Sequence, residues 1–490
     1  MRGVFVGARR QFGVAILLWA GLPGAGAAPA QEAAARRPPA CPAPDAPRSR
    51  SEAQGSTPNI VFILVDDLRW NALGCTGHPF VRTPHIDRLA KEGALFRNAF
   101  VTTPLCSPSR ASFLTGQYVR THGIRDNGDN GPRSHQLVTF PRLLHDSGYE
   151  TGYVGKWHMG HDGSPRPGFD RWVSFEGQGQ HVDPTLNLDG EARPVQGYLT
   201  DILTDYSVEF LRRPRTRPFC LYLGYGAVHG PFVPAERHQT LYSDRPIPRT
   251  PNARDKNEGK PALNRPIDNE PTPGPGRRKR DETIRNQLRM LAAIDEGLGK
   301  ILDALTENCR LDDTMVVFTS DNGFFWGEHG LGDKRWAYEE SIRIPLLVRL
   351  PGQVRAGTRI DAMALNVDIA PTFLELAGSA RPRDMQGESL LPLLRGQGTS
   401  RRESVLLEYF MEPRYRRAPT WQAVRTERWK LIRYPQLAGA DELYDLREDP
   451  GEMENRLADP AAAATLKHLR AELDRLLLET NASDSNPEPN

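Results

Sequence analysis

Cysteine is scarce in this 490-residue chain: there are five, at 41, 75, 106, 220 and 309, with no C-x-x-C pair and no zinc spacing. A structural zinc module and a dithiol redox motif are thereby excluded. The odd count leaves at least one thiol without a disulfide partner. An excess of either charge is lacking too. The 63 Lys and Arg stand against 61 Asp and Glu, a net of +2, so the basic footprint of a nucleic-acid binder is missing. Beyond the N-terminal segment no apolar run is long enough to cross a bilayer. What remains is an enzyme-sized chain, 38% apolar and 25% charged. That suits one large α/β domain with an appendage.

The first thirty residues stand apart. Arg2, Arg9 and Arg10 precede the apolar run Phe12–Ala20, and small residues follow, with Ala25-Gly26-Ala27 and Ala28-Pro29-Ala30 as A-x-A sites. Basic, apolar, then small is the order of a secretory signal, and Gly21, Pro23 and Gly24 break any longer helix. Residues 1–30 therefore predict export, to the periplasm or beyond, and Arg9-Arg10 also fits a twin-arginine signal. Residues 31–57, rich in Pro, Ala, Arg and Ser, read as a disordered linker, and 481–490 as a tail.

Asn59–Val65 is continuously apolar and ends in Asp66-Asp67; Phe219–Leu223 and Met315–Phe318 repeat the pattern. Unbroken apolarity predicts strands buried on both faces, as in a parallel sheet. Helical periodicity lies between them, at Ile86–Glu92 and Thr283–Leu305. Alternation of the two predicts a doubly wound, mostly parallel sheet in a catalytic domain over 58–395. Ligands of such sheets bind beyond the carboxyl ends of the strands. The three runs lead there to Asp66-Asp67, to His229, and to Asp321-Asn322, which implies one site. Residues 244–281, rich in Pro, Arg and Lys, read as a surface insertion carrying Arg277–Arg280. From 396 to 480 short strand patterns at Trp421–Arg425, Trp429–Arg433 and Glu442–Leu446 precede a helix at Ala461–Leu478. They predict a smaller antiparallel sheet-plus-helix subdomain.

Cys106-Ser107-Pro108-Ser109-Arg110, followed by Leu114-Thr115-Gly116, forms a C-x-P-x-R core with a downstream L-T-G. Here the chain resembles the type I sulfatases of the alkaline phosphatase superfamily, from about residue 58 to 455. The segment Gly330–Ser341, followed by Arg343–Arg349, resembles the bacterial carbohydrate sulfatases, including those similar to N-acetylglucosamine-6-sulfatases. The resemblance implies an alkaline phosphatase-like fold. It also implies that a formylglycine-generating or sulfatase-maturing enzyme oxidises Cys106 to formylglycine (3-oxoalanine), whose hydrate is the nucleophile. The chemistry explains the unusual residue. A serine would form a sulfate ester that water must break at sulfur, whereas a gem-diol keeps a second hydroxyl that expels sulfate by carbon–oxygen cleavage.

By the same resemblance Asp66, Asp67, Asp321, Asn322 and the Cys106-derived group ligate one Ca²⁺, with Mg²⁺ as the other candidate. Three carboxylates and an amide make a hard oxygen cage suited to either ion. Gly155-Lys156-Trp157-His158 matches the family's G-K-W-H motif, so Lys156 is expected on sulfate and His158 at the nucleophile's proton. His229 matches the histidine that protonates the leaving oxygen, with His329 ranked second for that role. Lys334 matches the second sulfate-binding lysine, and Arg110 the group that orients the nucleophile. A cation, two lysines and a general acid are what sulfate-ester cleavage requires, because negative charge grows on the leaving oxygen.

The expected activity is removal of sulfate from a sulfated carbohydrate, with sulfated N-acetylglucosamine or a glycosaminoglycan sugar leading. Trp157, His161, Gln178, His181 and Trp336 are candidate sugar contacts, and Tyr409, Tyr415 or Trp421 are candidates from the C-terminal subdomain. Two other readings stay open: a phosphodiesterase or phosphonate monoester hydrolase of the same superfamily, and an inactive sulfatase-like protein that binds sulfated glycans.

Overall fold

The computed structural model describes residues 57–267, 277–398 and 402–481, with side chains of the Arg277–Glu307 helix described from Arg280. The expected signal peptide, nearly all of the expected linker and the tail beyond Asn481 lie outside the described residues.

Alternate residues of β1 (Asn59–Val65) serve two different cores. Val61, Ile63 and Val65 join one apolar cluster, while Ile60, Phe62 and Leu64 join another, so the run has no polar position to spare. The first cluster is closed by Leu288, Leu291, Leu298 and Ile301 of the Arg277–Glu307 helix. The second centres on Phe62, whose ring meets Tyr222 at 4.9 Å and Phe113 and Phe373 at 5.6 Å. Truncating Phe62 to Ala would cost about 3–5 kcal/mol.

Following β1 come β2 (Ala94–Phe100), β3 (Glu150–Gly155), β4 (Arg171–Ser174), β5 (Thr185–Leu188), β6 (Glu191–Pro194), β7 (Phe219–Gly224) and β8 (Thr314–Ser320). β9 (Phe325–Trp326) and β10 (Gly332–Asp333) form a separate two-stranded ladder, and β11 (Arg343–Arg349) and β12 (Thr358–Leu365) return to the main sheet. Its order is β12-β2-β11-β8-β1-β7-β3-β4-β5-β6. Among the described residues only β11 and β5 run against the other strands, so the sheet is mostly parallel, with helices on both faces. The arrangement β8-β1-β7-β3 aligns the carboxyl ends of four adjacent strands.

A second sheet of four antiparallel strands, β13 (Ser404–Tyr409), β14 (Trp421–Thr426), β15 (Trp429–Arg433) and β16 (Glu442–Asp445), packs with the Ala463–Thr480 helix around Trp421, Tyr409, Leu469 and Leu473. The strand β13 was not anticipated: Glu408 interrupts its apolar run, and the structure buries that carboxylate against Arg120. The 244–281 stretch is also less superficial than its composition implies. Asn252, Lys260, Ala262 and Leu263 are buried, and Asn252 donates to Glu340 at 2.8 Å and to the Gly451 carbonyl at 3.2 Å.

Candidate active site

Each strand end delivers its polar residues through a defined backbone contact. The Asp66 N–H donates to the Ala227 carbonyl at 3.0 Å and the Val228 N–H to the Asp66 carbonyl at 2.8 Å, which extends β1 beside the segment carrying His229. The Asp321 N–H donates to the Val65 carbonyl at 3.0 Å. Lys156 is set by its N–H bond to the Gly224 carbonyl at 2.8 Å. Gly155 makes that approach possible: its φ is +125°, and a Cβ would lie 1.9 Å from the Gly224 oxygen. Gly323 does the same after Asn322, where a Cβ would sit 2.0 Å from the Glu340 carbonyl oxygen.

Cys106 opens the fully buried Cys106–Thr115 helix, and Arg110 follows it by one turn on the same face. The Asn127 side chain accepts the Ser107 N–H at 2.9 Å. The Cys106 sulfur lies 3.6 Å from Asp66 Oδ1 and receives Lys334 Nζ at 3.2 Å. Arg110 spans two carboxylates, with Nε 2.8 Å from Asp321 Oδ2 and Nη2 3.3 Å from Asp66 Oδ2. Lys156 Nζ pairs with Asp66, Lys334 Nζ with Asp67, and Asn322 Nδ2 donates to Asp67 Oδ1 at 2.6 Å. Asn127 apart, all of these side chains are buried. The strand-end residues and the C-x-P-x-R segment therefore meet at one point.

Burial is the largest influence on the Asp66 carboxyl and opposes its charge, yet Lys156, His229, Arg110 and Lys334 together hold it well below the usual range. Burial, then the charge on Asp66, pushes Asp321 up to about 7 and the Cys106 thiol up to about 12. Burial also pushes His158 well down and His229 down, with Lys156 adding to both. Carboxylate oxygens of Asp66, Asp67 and Asp321 crowd within 4.8 Å of one another, and Asn322 Oδ1 is buried with no hydrogen-bond partner. This is a converging set of hard oxygen donors, one of them an amide oxygen without a partner, and it fits a divalent cation such as Ca²⁺ or Mg²⁺.

Two histidines have their tautomers fixed by neighbours. His229 Nδ1 lies 2.7 Å from the Gly230 carbonyl, which only accepts, so Nδ1 carries hydrogen and Nε2 is left facing Asp67 at 3.8 Å. Gln178 Oε1 accepts from Lys156, which turns the Gln178 amide nitrogen to His158 Nε2 at 2.9 Å. His158 therefore accepts at Nε2 and carries hydrogen on Nδ1, a buried atom without a partner. Asp67, His158, Gln178, His229 and Lys334 form the floor of a cavity of about 730 Å³.

Other expected contacts divide. His161, Gln178 and Tyr415 line the cavity. Trp157 instead packs among Tyr153, Phe169 and Trp172, and Trp336, Tyr409 and Trp421 belong to the core beneath the small sheet. His181 is buried and hydrogen-bonds the His229 carbonyl at 3.2 Å, supporting the wall rather than forming it. His329 does not reach the site: Asp255 binds its Nδ1 at 2.7 Å and its ring stacks on Tyr338 at 4.3 Å. Motif reading did not find Asn127, Asp129 or Glu412. They come from loops brought in by tertiary packing, with no local pattern to mark them.

A family model described as sulfatase matches residues 58–379, and another, N-sulphoglucosamine sulphohydrolase, C-terminal, matches 327–479. The chain is 33% identical to N-acetylglucosamine-6-O-sulfatase of Bacteroides thetaiotaomicron over 88% of each chain. It is 32% identical to human N-acetylglucosamine-6-sulfatase over 74% of this chain and 69% of that protein. A solved structure of BT4656 in complex with its substrate D-glucosamine-2-N,6-O-disulfate superposes with a TM-score of 0.81 at 32% identity, covering 89% of this chain and 100% of that one. The phosphonate monoester hydrolase of Agrobacterium radiobacter shares the fold, with a TM-score of 0.72 at 23% identity over 86% of this chain and 96% of its own. The chain thus has an alkaline phosphatase-like fold, belongs to the sulfatase family and is a sulfuric ester hydrolase.

Proposed function

We propose that this sulfatase removes a 6-O-sulfate from N-acetylglucosamine or a closely related glucosamine sulfate, with Cys106 matured to formylglycine and one divalent cation at Asp66, Asp67, Asp321 and Asn322. The observation that carries the reading is the junction of Cys106, Asp66 and Lys334 beneath a cavity wide enough for a sugar. The sugar is inferred from the relatives, two N-acetylglucosamine-6-sulfatases and a structure bound to D-glucosamine-2-N,6-O-disulfate. Export rests on the pattern of residues 1–30 and on similarity to an extracellular sulfatase homolog of Drosophila melanogaster, of which the chain covers 37%.

Matured Cys106 would supply a hydrated aldehyde as nucleophile, and a cation held by Asp66, Asp67, Asp321 and Asn322 would lower its pKa and balance sulfate charge. The protein's own groups do the remainder. Arg110, fixed by Asp321 and Asp66, holds the start of the Cys106–Thr115 helix against the carboxylates. Lys334, already on the Cys106 sulfur, and Lys156 meet the sulfate oxygens, where fixed cations in a dry site stabilise growing charge. His229 lines the cavity, and as the imidazolium it gives its Nε2 proton to the leaving sugar oxygen and is left as the neutral Nδ1–H tautomer that the Gly230 carbonyl holds. His158 handles the proton at the nucleophile. To accept it at Nδ1 the imidazole must adopt its other tautomer, which requires Gln178 to turn its carbonyl toward Nε2.

Sulfate release from N-acetylglucosamine-6-sulfate and glucosamine-2-N,6-O-disulfate, beside an aryl sulfate and an aryl phosphate, tests the assignment. Mass spectrometry of the Cys106 peptide tests maturation. Sugar sulfates are expected to be cleaved and the phosphate spared. Cleavage of the aryl sulfate with no sugar sulfate touched would overturn the carbohydrate assignment, and a faster phosphate ester would overturn the ester class.

A further inference from the structure

The catalytic groups account for the floor of the cavity but not for the wall supplied by the smaller sheet. The loop between β13 and β14, residues 410–420, lends Glu412, Pro413, Arg414 and Tyr415 to the same cavity as Lys334 and His229. This loop is held in shape. The Met411 N–H donates to Thr420 Oγ1 at 3.0 Å, the Tyr415 N–H to the Glu412 carbonyl at 2.9 Å, and the Ala418 N–H to the Tyr415 carbonyl at 3.1 Å. Glu412 is buried and accepts from Arg335 Nε at 2.6 Å and the Tyr409 hydroxyl at 3.0 Å.

Its tip is built differently from its base. Tyr415 lies over the Arg335 guanidinium at 3.7 Å, yet the residue is 47% exposed. A large aromatic left open at a cavity mouth, with its ring fixed from one side, is a ready platform for the C–H face of a pyranose. Arg414 and Arg416 flank it, both exposed and with no ion pair among the described residues. Of the acids lining the cavity, three are paired with cations. Arg335 holds Glu412 and Asp333, and Lys334 holds Asp67. Asp126 and Asp129 accept backbone N–H groups of their own loop, at 2.8 Å from Gly128 and 3.2 Å from Gly131. Those two carboxylates keep their charge on the 126–129 loop, while on the 410–420 loop itself the unpaired charge, at Arg414 in the cavity lining and Arg416 beside it, is positive.

We infer that Arg414, Tyr415 and Arg416 form a second sugar subsite, one that takes an anionic residue joined to the sugar bearing the scissile sulfate. The inference rests on the sulfated-sugar reading of the catalytic site. A uronic carboxylate and a second sulfate present the same chemistry, an anion matching a guanidinium fork. The enzyme then prefers a charged oligosaccharide to a free sulfated monosaccharide.

The test compares kcat and KM for the mature full-length enzyme on four substrates: the sulfated monosaccharide, its disaccharide with a uronic acid neighbour, the same disaccharide with that carboxyl reduced, and one with a sulfated neutral neighbour. The wild type is expected to favour either anionic disaccharide over the reduced one by about tenfold, the worth of one charge-assisted contact. In Arg414→Ala/Arg416→Ala that preference disappears through KM, while the monosaccharide and an aryl sulfate are cleaved within about twofold of wild type. Tyr415→Ala weakens all disaccharides, and Tyr415→Phe restores them. Equal losses on every substrate, or a wild type indifferent to the neighbour's charge, would overturn the subsite. Calorimetric binding of the anionic and reduced disaccharides to Cys106→Ala, with and without the arginine substitutions, reads the subsite without turnover. A preference there with no sugar sulfate hydrolysed would mean that the catalytic reading, not the subsite, is wrong.

Discussion

Two groups of buried carboxylates and cations can be set side by side. Around the nucleophile, Asp66, Asp67 and Asp321 share Arg110, Lys156 and Lys334. Beneath the smaller sheet, Glu339, Glu442 and Glu452 share Arg425, Lys430 and three tyrosines. Burial and charge are comparable, and the difference lies in satisfaction. Glu442 accepts from Tyr444 at 2.6 Å, Tyr338 at 2.8 Å and Tyr434 at 3.3 Å, and Glu452 accepts the Glu339 N–H at 2.8 Å. The first group crowds its carboxylates, leaves Asn322 Oδ1 and His158 Nδ1 unpartnered, and opens on a cavity. In the second group Glu452 Oε1 lacks a hydrogen-bond donor of good geometry but meets Lys430 Nζ at 2.6 Å, so each of its carboxylates has a partner. A buried polar network that is nearly complete fixes structure, and one left incomplete is where ligand and proton enter.

The largest expected effect separates the two groups most sharply. Cys106→Ala should lower kcat by about 10⁴–10⁶-fold, as loss of a nucleophile does. Its cost in stability should be about 1 kcal/mol, because one small atom is removed. Cys106→Ser should fail equally in multiple turnover, since it lacks the second hydroxyl. Sustained sulfate release by either variant would end the formylglycine mechanism.

Next is the cation. Exhaustive chelation should abolish turnover and lower the melting temperature, and added Ca²⁺ or Mg²⁺ should restore both. Saturation at a hundredfold over Kd is worth about 2.7 kcal/mol. Asp321→Asn should blunt that melting response, whereas Glu452→Gln should leave it intact. A melting curve indifferent to both chelator and ion would break the comparison.

Gln178 gives a smaller and sharper test. Gln178→Leu removes the partner of Lys156 and His158 and should lower kcat by about tenfold, the scale of one hydrogen bond. Gln178→Glu keeps the shape but adds an anion beside His158 Nε2, which favours the imidazolium and raises its pKa. Activity requires neutral His158, which burial now holds well below its ordinary value. The acid limb of the kcat–pH profile should therefore move to higher pH in Gln178→Glu and stay in place in Gln178→Leu. An unmoved limb in the glutamate variant would remove His158 from the proton step.

Much of this site was legible because chemistry sits where a pattern ends. The unbroken apolarity of β1 and β8 stops at Asp66-Asp67 and Asp321-Asn322, and the spacing from Cys106 to Arg110 is itself the motif. The parallel sheet, the long helix and three of the four small strands follow from periodicity in the same way. What stayed hidden depends on distant partners. Tyr409, Tyr415 and Trp421 are alike on paper, but pairing of β13 with β14 buries two and leaves the loop between them carrying the third. Trp157 looked like a sugar platform and proves to be an anchor, with Nε1 donating to Ser134 Oγ at 3.2 Å. His329 looked like a rival acid until Asp255, 74 positions away, was seen to hold it.

Glu442 supplies the smallest effect and the cleanest check on the second group. Burial is the dominant influence and pushes its carboxyl from 4.5 to about 6, against the tyrosine hydroxyls, which lower it. The folded state therefore binds a proton more tightly than the unfolded chain between those two values. This group's contribution is fully present below pH 4.5, is lost as pH rises through 6, and is flat above. The shift corresponds to about 2 kcal/mol. Glu442→Gln has the same shape, still accepts at its carbonyl oxygen and cannot ionise. Measured by urea midpoint, its stability relative to wild type should rise by about 2 kcal/mol from pH 4.5 to 7. Glu442→Leu leaves three hydroxyls without their acceptor and should be destabilised by about 2–5 kcal/mol at every pH. Sulfate release by Glu442→Gln should stay within about twofold of wild type, because the carboxyl lies outside the cavity. A constant offset across pH would show that Glu442 stays charged when folded. Lost turnover at unchanged stability would show instead that the second group reaches the chemistry.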